Sequence, residues 1–227
     1  MKLRTPIMAI IGLLLFISCG QHQPAKRTDS FNGIDVSRYQ GEINWAKVAR
    51  TYDNIEFVYI KCTEGATYID PKCISHAKDA KKQGFRIGGY HYFRMTSSPE
   101  AQFANYKKIM DKIGPDLIPM IDVETGDNKP ASEVKKNLSE FIALIEKEYG
   151  VTPMIYGTMR SYNELCAPDF NSLPLYIARY GDNRPLITGP DHYDIWQYTD
   201  KAKIKGVEKP IDLCRFHPDF NIAEILL

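Results

Sequence analysis

Pro119-Met120-Ile121-Asp122-Val123-Glu124 leads three apolar or imino residues into two carboxylates separated by one valine. If Leu117 to Val123 is a strand, its side chains alternate faces, so Asp122 and Glu124 point the same way and Val123 the other. Two residue rises then separate their Cβ atoms by about 6.5–7 Å. Carboxylates that close raise the proton affinity of one of them, which gives a site an acid still protonated near neutral pH. Standing alone, the spacing also describes two solvated acids where a strand frays into a loop. Two further acids stand on short apolar runs: Asp35 within Phe31 to Ser37, and Asp212 within Ile211 to Cys214. No His/Cys/Asp cluster has metal-ligand spacing, no glycine-rich phosphate loop occurs and no serine sits in a nucleophile elbow, so neither metal nor cofactor is implied.

The elements that would carry these acids alternate. Asn44 reads as the cap of a helix through Trp45, Val48 and Ala49. Phe57 to Lys61 is a nearly continuous apolar run, suited to a strand buried on both faces. Asp70-Pro71 opens a helix that Gly84 closes. Arg86 to Tyr92 is a third strand, and Gly88-Gly89 marks a place where something approaches its backbone closely. His91 alternates away from Tyr90 and Tyr92 and reads as a satisfied core histidine. Ser98-Pro99-Glu100 starts a third helix. After the acidic pair, Val134, Leu138, Phe141, Ile142 and Ile145 recur at helical spacing up to Gly150. Met154 to Tyr156 and Leu175 to Ala178 are further strands. Beyond them the helices fade, leaving Asp194 to Tyr198 and Ile211 to Cys214 as strands joined by loops. About eight strands alternating with helices imply a parallel sheet closed into an irregular α/β barrel, in which acids at the C-terminal ends of strands read as catalytic.

The 227 residues, 44% hydrophobic and 25% charged with a formal charge of +1, describe an ordinary globular chain with no case for a nucleic-acid partner. Residues 1–19 read as a secretory signal: Lys2 and Arg4 precede an apolar run, Ile7 to Ile17, too short to span a bilayer. Its end, Ser18-Cys19-Gly20, resembles the lipobox of bacterial lipoproteins, so Cys19 is a candidate lipidation site. Residues 20–30 form a polar tether and 31–227 one barrel domain. Export would permit disulfides among Cys62, Cys73, Cys166 and Cys214, with three possible pairings and buried free thiols as the alternative.

Taken in order, several motifs resemble the Chalaropsis-type lysozymes, the muramidases of glycoside hydrolase family 25. They are Gly33-Ile34-Asp35-Val36-Ser37 with Gln40-Gly41 and Trp45; Tyr59-Ile60-Lys61 with Thr63-Glu64-Gly65; Gly88 to Phe93; Asp122-Val123-Glu124; and Trp196-Gln197-Tyr198 before Asp212. The resemblance implies a flattened, TIM-like barrel of five β/α units and three further strands, and hydrolysis of the β-1,4 bond between N-acetylmuramic acid and N-acetylglucosamine in peptidoglycan. It matches Glu124 to the general acid, Asp122 to the second carboxylate of the pair, Asp35 to the acid of the first strand and Asp212 to that of the last. Asp122 would help to keep Glu124 protonated. Asp35 and Asp212 can equally hold the pair or nearby tyrosines by hydrogen bonds. Tyr90, Tyr156, Tyr176 and Trp196 are candidate sugar contacts, about half of them expected to face the groove.

The second chemical role has three routes. A carboxylate about 5–5.5 Å from Glu124 would be a nucleophile, and one about 6.5–9.5 Å away would activate water. In the third, favoured here, the substrate's own 2-acetamido group attacks, steadied by Asp122. The partners expected are peptidoglycan strands and, through the lipid, a bacterial membrane on its periplasmic or outer side, for a monomeric chain. The rival reading is a non-catalytic peptidoglycan-binding lipoprotein on the same barrel. The tail from Phe216 to Leu227 maps to nothing in the family pattern.

Overall fold

The structure, a computed structural model, describes residues 31–227. The expected signal segment, lipidation site and tether therefore lie outside the described residues. Phe57 to Ile60 are buried without exception, as their continuous apolar run requires. They belong to β2 (Phe57–Glu64), which is paired in parallel with β1 (Gly33–Val36) on one side and β4 (Arg86–Tyr92) on the other. Around the sheet follow β5 (Met120–Asp122), β6 (Met154–Thr158), β7 (Leu175–Ala178) and β8 (Ile195–Ala202), each parallel to its predecessor. Closure is made by β9 (Ile211–Phe216), which runs antiparallel to both β8 and β1. The short β3 (Tyr68–Ile69) only folds back on the end of β2.

Five helices lie in the crossovers: α1 (Trp45–Thr51), α2 (Cys73–Lys82), α3 (Pro99–Ile113), α4 (Ala131–Tyr149) and α5 (Met159–Leu165). No helix follows β7 or β8 among the described residues, so the barrel has the five β/α units and three further strands that the resemblance implied. Local signals act as read. Asn44 Oδ1 accepts the Lys47 amide at 2.9 Å, and Ser98 caps α3 with Pro99 at its first turn. Gly150 ends α4 in the left-handed conformation that suits glycine. The second helix begins at Cys73, two residues beyond Pro71. Asp70 is tied up instead in a turn: its Oδ1 accepts the Lys72 amide at 2.9 Å and its Oδ2 the Arg38 amide at 3.0 Å. Sequence gave no sign of α5, which buries only Ser161 and Tyr162 and so carries no period.

Two apolar layers result. Phe57, Tyr59, Met120, Met154, Tyr156, Tyr176 and Ile195 fill the barrel, while residues of opposite parity such as Val58, Ile60, Ile121 and Ile155 pack beneath the helices. Gly88 and Gly89 serve one layer each. A Cβ on Gly88 would lie 2.3 Å from the inward Tyr59 ring, and one on Gly89 would lie 2.5 Å from the sulfur of Met110 in α3. His91 is a core residue, as expected. Its Nδ1 is 2.8 Å from Thr63 Oγ1, its Nε2 3.0 Å from Gln102 Oε1, and burial pushes its pKa down to about 4.

The unmapped tail closes the N-terminal end of the barrel. The Ile118 amide donates to the Ile225 carbonyl and the Leu227 amide to the Asp116 carbonyl, both at 3.0 Å. Ile225, with Phe216, Phe220 and Ile222 against it, completes the interior cluster from below. Of the two alternatives left open for the cysteines, the structure has the second: Cys62, Cys73, Cys166 and Cys214 are all buried free thiols. Cys214 lies inside the barrel and Cys166 outside it under the helices, so the sheet separates them, whereas Cys62 and Cys73 touch at 3.3 Å.

Candidate active site

The mouth opens where the parallel strands end. After β1 the chain turns through a short 3-10 helix, Arg38–Gln40, closed by a reciprocal cap in which the Ser37 amide donates to Gln40 Oε1 at 2.8 Å. Gln40 Nε2 reaches the Pro210 carbonyl at 3.1 Å, fastening the exit of β1 to the entry of β9. Because β9 runs backwards, its second residue, Asp212, stands at the mouth and directly opposite Asp35. On the other wall β5 ends at Asp122, and the Val123 amide still pairs with the Tyr156 carbonyl at 2.8 Å. The alternation read from sequence holds: Val123 is buried beneath the helices, while Asp122 and Glu124 line a cavity of about 190 Å³ together with Asp35 and Asp212.

The two acid pairs have different surroundings. Asp35 Oδ2 accepts the Tyr176 hydroxyl at 2.7 Å, Gln197 Nε2 at 2.8 Å and the Cys214 thiol at 3.5 Å. Gln197 is itself fixed, its Oε1 accepting the hydroxyls of Tyr156 at 2.9 Å and Tyr180 at 3.2 Å. Burial raises the pKa of Asp35, and these donors oppose the rise. Asp212 is pushed up to about 9 by burial and then by the Asp35 charge. The pair thus holds one proton, on Asp212.

Asp122 is 4% exposed, and its Oδ1 is buried with no hydrogen-bond partner among the described residues. Burial, then the Glu124 charge, lifts its pKa well above the ordinary carboxylate range, against the pull of the Lys61 ammonium. Glu124 is exposed at the rim. Its pKa is also raised by the protein around the carboxyl, but a hydrogen bond from Asp122 and the charge of Lys61 hold it back. The directions of the two shifts favour Asp122 as the hydrogen-bond donor to Glu124 in the resting site. The deeper, less solvated carboxyl takes the shared proton.

Of the aromatic candidates, Tyr90 and Tyr156 line the cavity, and Tyr176 and Trp196 do not. Tyr176 is fully buried beneath the mouth, with its hydroxyl on Asp35 and its ring against Phe57, Tyr59 and Tyr156. Trp196 precedes the inward Gln197, so parity turns it outward. Its Nε1 donates to the Arg179 carbonyl at 2.7 Å and the Arg215 guanidinium lies 4.9 Å from its ring. Both are corrected as sugar contacts. Sequence reasoning missed two rim rings, Tyr39 at 68% and Tyr180 at 51% exposure, which line the same cavity. Tyr39 stands in the gap of a quoted motif, between Ser37 and Gln40, and could have been found there; Tyr180 sits in a loop after β7 with no period to mark it.

A sequence profile described as "Glycosyl hydrolases family 25" matches residues 34–207. YegX of Escherichia coli is 32% identical over 197 residues, which cover 86% of this chain and 71% of YegX. The "Autolytic lysozyme" of Clostridium acetobutylicum is 31% identical over 185 residues, 81% of this chain and 55% of that protein. Among solved structures, a family 25 glycosyl hydrolase from Bacillus anthracis superposes with a TM-score of 0.77 at 30% identity, covering 89% of this chain and 96% of that one.

Proposed function

The chain belongs to the glycosyl hydrolases of family 25, and on that footing we propose that it cleaves the β-1,4 bond between N-acetylmuramic acid and N-acetylglucosamine in peptidoglycan. The observation that carries this reading is the convergence of two acid pairs in one open mouth, with the buried Asp122 Oδ1 lacking a partner among the described residues. An unpaired acceptor at that depth suits an N–H donor brought by the substrate. The 2-acetamido group of muramic acid supplies one.

The steps follow from the two pKa directions. As the acetamido N–H docks on Asp122, that carboxyl gives its proton to Glu124 across the hydrogen bond they share and remains as the anion. Glu124 then protonates the leaving oxygen while the acetamido carbonyl oxygen attacks the anomeric carbon. The charged ring so formed is steadied by Asp122. Water opens it with Glu124 as base, which restores one proton to the pair and gives net retention. Asp35 and Asp212 face this event from the opposite wall.

Mass spectrometry of peptidoglycan digested by the wild type beside Glu124→Gln tests the reaction. Muropeptides with reducing-end N-acetylmuramic acid from the wild type alone are expected, with chitin left uncut. Intact strands with both proteins, together with retained binding to peptidoglycan, would instead support the binding-module reading. The first anomer released, followed by NMR, should be β; an initial α product removes the acetamido route. For location we propose export as a monomer, anchored to a bacterial membrane by lipid on Cys19. Fatty-acid labelling that persists in Cys19→Ala would overturn the anchor.

A further inference from the structure

A second cavity, of about 320 Å³, adjoins the acidic mouth, and Tyr39 lines both. Its acids are already engaged. Asp70 is 2% exposed, with both oxygens holding backbone amides. Glu64 takes Lys61 Nζ at 2.8 Å on Oε2 and Arg94 Nη1 at 3.4 Å on Oε1. Arg38 differs: it is exposed, and no carboxylate among the described residues stands within ion-pair range of its guanidinium. Its nearest neighbours among the described residues are rings, 5.1 Å to the Tyr39 centroid and 5.7 Å to that of Tyr68, with Nη2 at 3.5 Å from the Tyr39 hydroxyl and the Asp70 charge acting on it from further off.

We propose that this cavity binds a carboxylate of the substrate, with the Arg38 fork as its partner and Tyr39 and Tyr68 as its walls. The inference rests on the peptidoglycan reading above. A guanidinium presents paired N–H donors that match a carboxylate in two parallel bonds, flanking ring faces hold its plane, and the long 3.5 Å bond to the Tyr39 hydroxyl is the one contact among the described residues that a carboxylate would have to share or displace. Lys61 lies 4.8 Å from the Tyr92 ring and faces the same cavity, adding positive charge although Glu64 already holds it.

The consequence is a choice of bond. In a strand of alternating sugars only every second residue bears the lactyl ether, whose carboxyl is either free or extended by a stem peptide with carboxylates of its own. Both sources offer the same chemistry. A carboxylate site at a fixed step from Glu124 therefore sets which of the two alternating β-1,4 bonds lies over the acids. Chitin, all of whose residues are alike, has no group to place there.

The test measures kcat and KM of the intact chain and of Arg38→Gln and Arg38→Lys on four strands. These are peptide-free strands with the lactyl carboxylate free or methylamidated, and peptide-bearing strands with the peptide carboxylates free or methylamidated. Blocking the carboxylate that matters should raise the wild-type KM about tenfold, about 1.4 kcal/mol, with kcat little changed. Arg38→Gln should show that higher KM on every strand and no further response to blocking, and Arg38→Lys should recover part of it. An effect confined to peptide-free strands assigns the lactyl carboxylate; one confined to peptide-bearing strands assigns the stem peptide. Wild-type cleavage that ignores blocking, or an Arg38→Gln that keeps the wild-type response, overturns this inference and leaves the muramidase reading standing. A wild type that cuts none of the strands overturns both.

Discussion

The two walls of the mouth carry the same chemistry in opposite states of completion. On the β1/β9 wall, Asp35 Oδ2 receives three donors, and its partner Asp212 keeps the shared proton. On the β5 wall, the pKa directions favour the proton on Asp122, one of whose oxygens is buried with no partner among the described residues, and Glu124 reaches into solvent. A carboxylate oxygen that already takes three donors is held in place and has little left to offer a substrate. One with an empty acceptor, beside a neighbour able to take its proton, is set to change state. Under the proposed reaction, the contrast makes the β1/β9 wall the positioning one and the β5 wall the reacting one.

Glu124→Gln cuts deepest if the contrast is right. Loss of the proton donor should lower kcat by about 10²–10⁴-fold with KM nearly unchanged and the melting temperature held. An equal kcat loss in Asp35→Asn, at unchanged stability, would erase the distinction between walls.

Asp212→Asn sharpens it through stability. The unfolded Asp212 ionises near 3.8, whereas the folded one keeps its proton until about pH 9. Between those values the folded state binds more protons, so wild-type stability falls as pH rises through that window. Asn cannot titrate, and its amide can still donate to Asp35. Thermal melts should therefore show little difference near pH 4 and a gain of about 2–4 °C or more for the variant near pH 8. A gain independent of pH would mean that Asp212 does not hold the proton.

Tyr176→Phe removes one of the donors to Asp35 and should cost about 1–2 kcal/mol in urea unfolding, with kcat down less than tenfold. A larger loss of kcat than of stability would move Tyr176 from support into chemistry. The smallest effect is electrostatic. The Asp35 charge helps to raise Glu124, so Asp35→Asn should shift the basic limb of the pH–kcat/KM profile to lower pH, by a fraction of a unit. An upward shift would contradict the sign.

Sequence revealed the two walls unequally, for a physical reason. Asp122 and Glu124 are two residues apart on one strand, so strand parity alone puts them on one face. Asp35 and Asp212 become neighbours only because β9 runs against β1, which no local spacing records; the family motifs named both acids but not their pairing. Parity also explains the error at Trp196. Adjacent residues of a strand face opposite ways, and it is Gln197 that the mouth needs. The helices of clear period were legible, whereas α5 and the tail were not. The tail's Phe216, Phe220, Ile222 and Ile225 match no repeat, and they come together only because a closed barrel leaves its lower end to be filled.

That closure gives the molecule a front and a back. The described chain enters at Phe31, whose neighbour Asn32 donates its amide to the Cys214 carbonyl and accepts the Phe216 amide on its side-chain oxygen, at the plugged end. The acids stand at the other. The start of the described residues and the acids thus lie at opposite ends of the barrel, and the tail that plugs the one end leaves the other open.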